Sequence, residues 1–446
     1  VYIHYKMLEY HGNHAEFTVF VDGKTPYSEL SFLKMNRIWK DSVENQTFEK
    51  DVQGNDLKPQ QEEVVSWREM SLRDNMGYYT QPLKVYLTQG THTLKIQMEK
   101  ETTSIDWIEF RPPTTLKTYA EKKAEYEANG YKEATAEPIR IEAEYPYEKS
   151  DYTIYPIYDR SSPSVSPQSS SAILRNTLGA DKWQIPGQWV TWKFKATQSG
   201  LYKIALKYRQ NIQSGLFSSR SLTINGEAPF AEAETLQFAF NDKWQLTALG
   251  GDEPYEFYFE EGEEYEIRLQ VTLGDMAEIV QTLQNSLLTL NEIYRSILMI
   301  TGTDPDLNRD YNFKSLIPDT LTEMASQIDV LNAMVERIVD VVGKKGEQVA
   351  AISRIIIQLE TMTEKPDKIP ANFKQFKDNI GAMGTTLQSM RNQPLELDYL
   401  VIAPASAKLE KADSGFFSNL WFQIKLLFTS YFQDYQLSSS SGMTSD

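Results

Sequence analysis

The spacing of apolar residues changes once along the chain. Residues 1–273 contain short runs in which apolar and polar side chains alternate, separated by turns such as Asp22-Gly23 and Gln89-Gly90. This alternation is typical of half-buried strands, and many short strands with frequent turns predict β-sandwiches. After Gly274 the apolar residues recur at a helical period of about 3.6 residues. The sequence therefore predicts a mixed fold, with β-domains first and helices after them.

The helical part predicts a bundle at 274–394. It holds four apolar stripes, and each stripe ends at or just before a residue that terminates helices. These residues are Gly302, Gly343, Pro366 and Pro394. Amphipathic helices joined by short loops pack as antiparallel neighbours, and an even number of them returns the chain close to where it left the preceding domain. The pattern thus predicts an inserted antiparallel four-helix bundle.

The first β-domain recurs, in the same order, within the second. Residues 17–26 return as 220–229, each around an Asp-Gly or Asn-Gly turn. The first copy then closes with residues 105–112, whereas the matching residues 397–404 appear only after the helices. We therefore predict two related β-sandwiches, the second interrupted by the bundle. Other aligned pairs are Val1 with Ile204, Tyr5 with Tyr208 and Trp67 with Trp244.

This alignment leaves the first copy without a counterpart of residues 139–203. We therefore expect the chain to be an internal piece of a longer protein. We also expect residues 28–66 to form a long polar loop, because the second copy lacks them. The predicted segments are a truncated galactose-binding-like sandwich at 1–113, a helical connector at 114–136, a second such sandwich at 137–273 plus 395–411, the bundle at 274–394, an amphipathic aromatic helix at 412–437 and a Ser/Gly linker at 438–446.

Composition argues against several classes of function. The 446 residues include 62 acidic and 45 basic side chains, a net charge of −17, which argues against a nucleic-acid partner. There is no cysteine, which excludes disulfides, thiol catalysis and cysteine-bound zinc. His11 and His14 lie in a polar segment without accompanying acidic ligands. No nucleophile elbow or phosphate-binding loop occurs, so we predict that the chain is not an enzyme.

The second sandwich resembles galactose-binding-like carbohydrate-binding modules, those of families six and thirty-five in particular. The resemblance is carried by Ile141-Glu142-Ala143-Glu144, by Gly187-Gln188-Trp189-Val190-Thr191-Trp192 and by Leu397-Asp398-Tyr399-Leu400. It covers this domain and the remnant of the first. Its motifs are specific for the fold and less specific for a ligand. The resemblance implies a β-sandwich of jelly-roll type.

The same resemblance implies two sites. A sugar-stacking aromatic precedes the Gly-x-Trp-Val strand of these modules, and Trp183 occupies that position. A structural Ca²⁺ would be held by Glu142, Glu144 and Asp398, with hard oxygen ligands from both ends of the domain. The alternative to sugar binding by Trp183 is a role in the hydrophobic core. The alternative to a Ca²⁺ site is that the three carboxylates are solvated on their strands. The family's second sugar-binding aromatic lies in a loop that the bundle replaces here, so we expect the usual cleft to be remodelled or covered.

The whole arrangement resembles the N-terminal region of large extracellular solute-binding proteins of bacterial carbohydrate ABC transporters. This implies a lipoprotein anchored at the surface of a Gram-positive bacterium. It also implies glycan ligands, a solute-binding module after the linker and the transporter permease as a partner. The leading hypothesis is a non-catalytic carbohydrate-binding region of such a protein. The alternatives are an accessory region of a large glycoside hydrolase and a structural spacer or protein-interaction platform.

Overall fold

The computed structural model describes residues 1–8, 12–169, 171–412, 421 and 424. They form two β-sandwiches and a helical bundle that joins the second sandwich at both of its ends, so the predicted fold class is confirmed. Most of the aromatic helix predicted at 412–437, the linker at 438–446 and His11 lie outside the described residues. None of the helices formed by the described residues is long and apolar enough to cross a membrane.

The first sandwich packs two antiparallel sheets of three strands each, with the orders β6-β1-β8 and β3-β2-β7. Alternate side chains of each strand point inward, and Ile3, Tyr5, Met7, Phe17 and Val19 meet in a shared buried core. The strands of this part of the chain are β1 (Tyr2–Met7), β2 (Ala15–Val21), β3 (Leu33–Met35), β4 (Trp39–Asp41), β5 (Gln61–Glu63), β6 (Arg68–Ser71), β7 (Leu94–Lys100) and β8 (Thr103–Glu109).

A connector helix, α1 (Tyr119–Ala128), joins the two sandwiches. It begins with a capping box, in which the hydroxyl of Thr118 accepts from the backbone N–H of Glu121 and the Glu121 carboxylate accepts from the backbone N–H of Thr118. The helix is shorter than the predicted connector at 114–136. Tyr126 of this helix is buried, and Tyr119 packs on the core of the second sandwich.

The second sandwich packs two larger sheets around a core rich in aromatic and branched side chains. One sheet has the order β16-β15-β19-β13-β10 and the other β11-β12-β20-β14-β17, with β9 also paired to β20 and β18 to β14. The strands are β9 (Ile139–Glu142), β10 (Glu148–Lys149), β11 (Pro156–Ile157), β12 (Thr177–Ala180), β13 (Trp189–Lys195), β14 (Gly200–Gln210), β15 (Phe217–Ile224), β16 (Leu236–Ala239), β17 (Asn241–Ala248), β18 (Glu256–Phe259), β19 (Glu264–Thr272) and β20 (Leu395–Pro404).

The two copies repeat a tight hairpin turn. Asp22 and Gly23 have φ values of 51° and 80°, and Asn225 and Gly226 have 51° and 84°. In both copies the flanking residues exchange backbone hydrogen bonds of 2.8 and 3.1 Å. Positive φ at both central positions defines the type of two-residue turn that matches the strand twist, which explains the Asp-Gly and Asn-Gly pairs.

Residues 28–66 correct one expectation, because they are not only a loop. Their strands β4 and β5 extend the β10 edge of the second sandwich, with Trp39 paired to Lys149. The buried ammonium of Lys149 lies 2.5 Å from the carboxylate of Asp41. The insertion therefore ties the first copy to the sheet of the second.

The bundle follows β19 and precedes β20. Its helices are α2 (Ala277–Thr301), α3 (Phe313–Leu316), α4 (Pro318–Val342), α5 (Glu347–Glu364) and α6 (Ile369–Arg391). Gly302 and Gly343 lie at the carboxyl ends of α2 and α4 with φ of 73° and 79°, as expected for glycines that end helices. The apolar stripes of the four long helices share one core with Leu216, Phe217 and Leu273 of the sandwich.

Candidate functional site

Trp183 lies in the loop after β12, and its side chain is 0% exposed. Its indole makes an edge contact with Trp192, at 6.3 Å between ring centroids. The guanidinium carbon of Arg220 lies 4.2 Å from the centroid of the Trp183 ring, and Arg220 also donates to the Trp183 carbonyl at 3.0 Å. A fully covered indole cannot receive a sugar ring. The predicted stacking role is therefore wrong for this conformation, and Trp183 is a core residue.

Arg220 is itself completely buried and forms no ion pair within the described chain. Its guanidinium donates to the backbone carbonyls of Ser219 and Trp183. Burial lowers the pKa of Arg220 to about 9, because the charged form is poorly solvated there. The buried cation is stabilised by carbonyl oxygens and by the face of Trp183.

The predicted calcium ligands do not form a metal site. Asp398 is buried against the ammonium of Lys207 at 2.7 Å, and Glu142 pairs with Arg140 at 2.8 Å. No group of three acidic or histidine side chains in the described residues is placed to hold a metal ion. Two carboxylates therefore already have cationic partners from the protein itself. The predicted ligand set is therefore not assembled in the described residues.

Glu144 is the one of these three carboxylates without an ion pair in the described chain. It is fully buried, and neither of its carboxylate oxygens has a hydrogen-bond partner in the described chain. Burial raises the pKa of Glu144 well above its usual value, and the nearby Glu142 and Asp398 raise it further. Burial also raises the pKa of Asp398, to about 6, although Lys207 opposes that shift. Without a bound cation, burial and the neighbouring carboxylates favour the protonated form of Glu144.

An open groove of about 640 Å³ lies where the bundle meets the loops of the second sandwich. The loop after Trp183 contributes one wall, the loop after β14 a second and the carboxyl-terminal half of α6 a third. The lining residues are Gln184, Ile212, Gln213, Gly381, Gly384, Thr385, Gln388, Ser389 and Asn392. None of them carries a charge. The bundle and the sandwich loops therefore form this groove together.

Neutral hydrogen bonds fix the walls of the groove to one another. The side-chain amide of Gln213 donates to the backbone carbonyls of Ser389 and Asn392, the latter at 2.6 Å. The backbone N–H of Gln393 donates to the carbonyl of Gln184 at 2.8 Å. The amide oxygen of Gln213 remains without a partner in the described chain, although this residue is only 6% exposed. It is an acceptor, since the nitrogen of the same amide makes both donated bonds.

Two glycines of α6 lower the helix surface on the groove side. A side chain at Gly381 would meet no atom within 4 Å, and one at Gly384 would make only ordinary contact with Leu287. Glycine inside a helix costs about 1 kcal/mol relative to alanine, so these two positions reduce helix stability in exchange for an open surface. Half-exposed Ile212 adds an apolar patch between the amides. The arrangement suits a neutral ligand with several hydroxyl groups and apolar faces.

Sequence reasoning missed this groove. The glutamines lie in two loops far apart along the chain, and amide side chains are common in loops. Gly381 and Gly384, inside a clear helical stripe, were the usable signal, because glycine in a helix interior lowers helix stability and therefore needs another explanation, here an open surface.

Comparison with known proteins identifies the bundle. Residues 278–393 match the family described as bacterial solute-binding protein, 4-helix bundle domain. The resemblance to solute-binding proteins is confirmed. No curated protein sequence matches the chain.

Similar solved structures contain carbohydrate-binding modules. A family 35 module from Clostridium thermocellum is 16% identical, with 30% of this chain and 87% of that chain covered and a TM-score of 0.22. The CBM35 of Cellvibrio japonicus Abf62 is 16% identical, with 30% and 83% covered and a TM-score of 0.22. A GH26-CBM35 β-(1,4)-mannanase from Podospora anserina is 8% identical, with 52% and 73% covered and a TM-score of 0.22.

Proposed function

We propose that this chain is a non-catalytic, carbohydrate-binding region of an extracellular solute-binding protein that serves a bacterial sugar-import ABC transporter. The observation that carries the proposal is the match of residues 278–393 to the solute-binding protein bundle. That bundle is inserted into a β-sandwich with the sequence motifs of carbohydrate-binding modules. The partners of this carbohydrate-binding region would be a solute-binding module and the transporter permease, at the surface of a Gram-positive cell.

The groove between the bundle and the second sandwich is the site we assign to the carbohydrate. Its uncharged lining suits a neutral oligosaccharide, because amide groups pair with hydroxyls without the cost of desolvating an ion. The exposed side chains of Thr385 and Gln388 and the half-buried side chain of Gln184 provide hydroxyl and amide groups that can pair with sugar hydroxyls.

The position of the groove also suggests how binding is communicated. One wall belongs to α6 and the others to sandwich loops, so a bound sugar would contact both domains. Ligand that bridges two domains favours the conformation in which both walls are in place. Carbohydrate binding would therefore further stabilise the position of the bundle that the hydrogen bonds of Gln213 and Gln393 already hold.

The test is calorimetric titration of residues 1–446 with a panel of neutral oligosaccharides, using two variants of one groove residue. Gly381→Gln places a side chain in the groove, and Gly381→Ala is the matched control. We expect the glutamine variant to weaken binding at least tenfold, while the alanine variant retains binding. Both should unfold no earlier than the wild type, because each replaces a helical glycine.

Three results would contradict the proposal. The groove assignment is wrong if Gly381→Gln binds sugar as tightly as Gly381→Ala. Carbohydrate binding itself is wrong if the wild type binds no oligosaccharide at millimolar concentration. The non-catalytic assignment is wrong if the chain hydrolyses any glycoside of the panel.

A further inference from the structure

A second cavity, a cleft of about 460 Å³, lies between the two sandwiches. The first sandwich contributes β1, β3, β6 and the loop after β6, and the second contributes β13, β19 and the turn at Asn225-Gly226. Among the described residues, none that lines the bundle groove also lines this cleft. The cleft is therefore separate from the site assigned to the neutral sugar.

The lining of the cleft is more basic than the chain as a whole. It holds five basic and three acidic side chains, whereas the chain has 45 basic and 62 acidic ones. The basic residues are Lys34, Arg68, Arg73, Arg111 and Arg268. An excess of one charge in a cleft raises the local concentration of ions of the opposite charge. The cleft therefore favours anions on a protein that is otherwise acidic.

Two of the three acidic side chains in the lining already have partners. The carboxylate of Glu69 accepts two hydrogen bonds from Arg111, both at 2.8 Å. The buried carboxylate of Asp74 accepts from three backbone N–H groups of its own loop, at 2.6 to 3.3 Å. The third residue, Glu227, is exposed. In the described chain, the acidic residues of the lining thus pair with one of its five cations.

Two of the basic residues have no carboxylate partner. Arg73 and Lys34 form no ion pair within the described chain, and both side chains are half-buried. Arg73 donates instead to the backbone carbonyl of Thr80, which carries no net charge. Each of the two residues therefore provides a positive charge that no described carboxylate contacts directly.

The remaining two arginines keep donors for a ligand. Arg68 pairs with Glu148 at 2.5 Å, and Arg268 pairs with Glu266 at 3.2 Å. The guanidinium carbon of Arg268 lies 4.1 Å from the ring centroid of Trp189, which holds this group in place. A guanidinium group has five N–H donors, and a carboxylate occupies at most two of them in a bidentate pair. Both arginines can therefore donate to a second acceptor.

The guanidinium groups in the cleft also act on one another. Burial lowers the pKa of Arg73 and that of Arg268. Arg268 lowers the pKa of Arg73 further, and Arg68 does the same to Arg268. A nearby negative charge favours the charged form of such groups. A shared anion would therefore stabilise cations that disfavour one another in the empty cleft.

Half-buried amide side chains lie among these cations. They belong to Asn36, Asn75 and Gln270. An amide both donates and accepts, so it can pair with a hydroxyl group in either sense. The volume of the cleft lies within the range of about 300–1,000 Å³ that is usual for small-molecule sites. The lining therefore suits a small anion that also carries hydroxyl groups.

We propose that the cleft between the two sandwiches binds an organic anion that carries a carboxylate and several hydroxyl groups. The carboxylate would lie between Arg73 and Arg268, because the planar guanidinium fork matches the two oxygens of a carboxylate. The hydroxyl groups would pair with the amides. Two sources share this chemistry, an acidic sugar and an open-chain hydroxy acid. The site differs from the groove because cations, and not neutral amides alone, would select its ligand.

The test is calorimetric titration of residues 1–446 with galacturonate, an acidic sugar, and with gluconate, an open-chain hydroxy acid. The methyl ester of galacturonate is the matched ligand control, because it keeps the ring hydroxyl groups and lacks the charge. We expect one or both acids to bind at least about tenfold more tightly than the ester, since hydrogen bonds between charged groups are about twice as strong as neutral ones. The acid that binds more tightly identifies the source.

Two variants of the lining locate the bound anion. Arg73→Met should weaken binding about tenfold, because it removes a charged donor and keeps most of the apolar stem. Lys34→Met should weaken binding less, since an ammonium lacks the guanidinium fork. Arg337→Met is the matched control, because it makes the same change in net charge at an exposed position of α4. Melting temperatures show whether each variant is folded, and Lys34→Met decides the test if Arg73→Met is not.

Three outcomes would overturn the proposal. The first is that neither acid binds at millimolar concentration, or that the ester binds as tightly as its acid. The second is that the folded variants of Arg73 and Lys34 bind the anion as tightly as Arg337→Met. The third is that inorganic phosphate binds as tightly as either acid, because the cleft would then select charge alone.

Discussion

Arg220 places its guanidinium over the indole of Trp183, with 4.2 Å between the guanidinium carbon and the ring centroid. Both side chains are fully buried. Because the arginine has no acidic partner in the described chain, the aromatic face and two carbonyl oxygens are what stabilise its charge. Trp183, which was predicted to bind sugar, is thus part of the interior, and it supports the loop that forms one wall of the groove.

Truncation of Trp183 should therefore destabilise the fold. We expect Trp183→Ala to lower the free energy of unfolding by about 3–5 kcal/mol, the usual cost of emptying a large core position. Tyr86→Ala is the control, since Tyr86 is 89% exposed and should change stability by no more than about 0.5 kcal/mol. Urea denaturation measures both. A loss below about 1 kcal/mol for Trp183→Ala would contradict the core assignment.

Glu144 should make the protein less stable as pH rises. An unfolded glutamate ionises near pH 4.3, whereas burial raises the pKa of folded Glu144 well above its usual value. Above about pH 4.3 the folded state thus retains a proton that the unfolded state has released, so stability falls with pH until the folded group ionises. Glu144→Gln should flatten this decline in melting temperature between pH 4 and 8, because the amide has no proton to lose.

The control for that prediction is Glu253→Gln at an exposed turn, which should leave the pH profile unchanged. Part of the decline should remain in the Glu144 variant. Burial also raises the pKa of Asp398 and Glu396, so these groups act in the same direction. An identical slope in wild type and Glu144→Gln would show that Glu144 is solvated or bound to a cation.

The Lys207–Asp398 pair should behave as a unit. Lys207→Met leaves a buried carboxylate without its cation, so we expect a loss of about 3–5 kcal/mol in the free energy of unfolding. Adding Asp398→Asn should recover much of that loss, because the uncompensated charge is removed. A double-mutant cycle by urea denaturation measures the coupling. Additive effects of the two substitutions would contradict the pairing.

Calcium should have no effect on the same protein. Lys207 and Arg140 already neutralise two of the three predicted ligands. We expect the melting temperature to be equal in millimolar Ca²⁺ and in chelator. A ligand that binds only the folded state raises the melting temperature with its concentration, so a calcium-dependent rise would restore the metal site.

The insertion at 28–66 should detach when its buried ion pair is removed. Asp41 and Lys149 are both almost fully buried, so Asp41→Ala should cost about 3–5 kcal/mol. Lys40→Ala, one residue earlier, removes an exposed pair with Glu62 and should cost less than about 1 kcal/mol. Limited proteolysis should cleave the first variant within residues 42–60. Equal cleavage of both variants would show that this pair does not hold the insertion.

Local signals predicted much of this fold. The turns at Asp22-Gly23 and Asn225-Gly226 require positive φ at both positions, and their neighbours determine the hairpins. Gly302 and Gly343 mark helix ends by the same kind of backbone constraint. Such features depend on a few adjacent residues, so they can be recognised in a single sequence.

Features that depend on distant partners could not be predicted. β4 is a strand because it pairs with Lys149, more than a hundred residues later, and nothing near Trp39 indicates that pairing. The sequence around Trp183 does not show whether its indole points outward to a ligand or inward to Arg220. Gln213 lines a groove only because α6 comes to lie beside it. Each outcome is decided by packing between separate segments.

The place of β20 has a consequence for synthesis. This strand lies between β12 and β14 in its sheet, yet the ribosome makes it only after the whole bundle. Until then β14 lacks its main neighbour, and the unfinished edge is open to wrong partners. A bundle that has already folded brings the two ends of the insertion together and reduces the entropy lost when β20 pairs. In a growing chain, the bundle would therefore act as the folding aid of the domain that surrounds it.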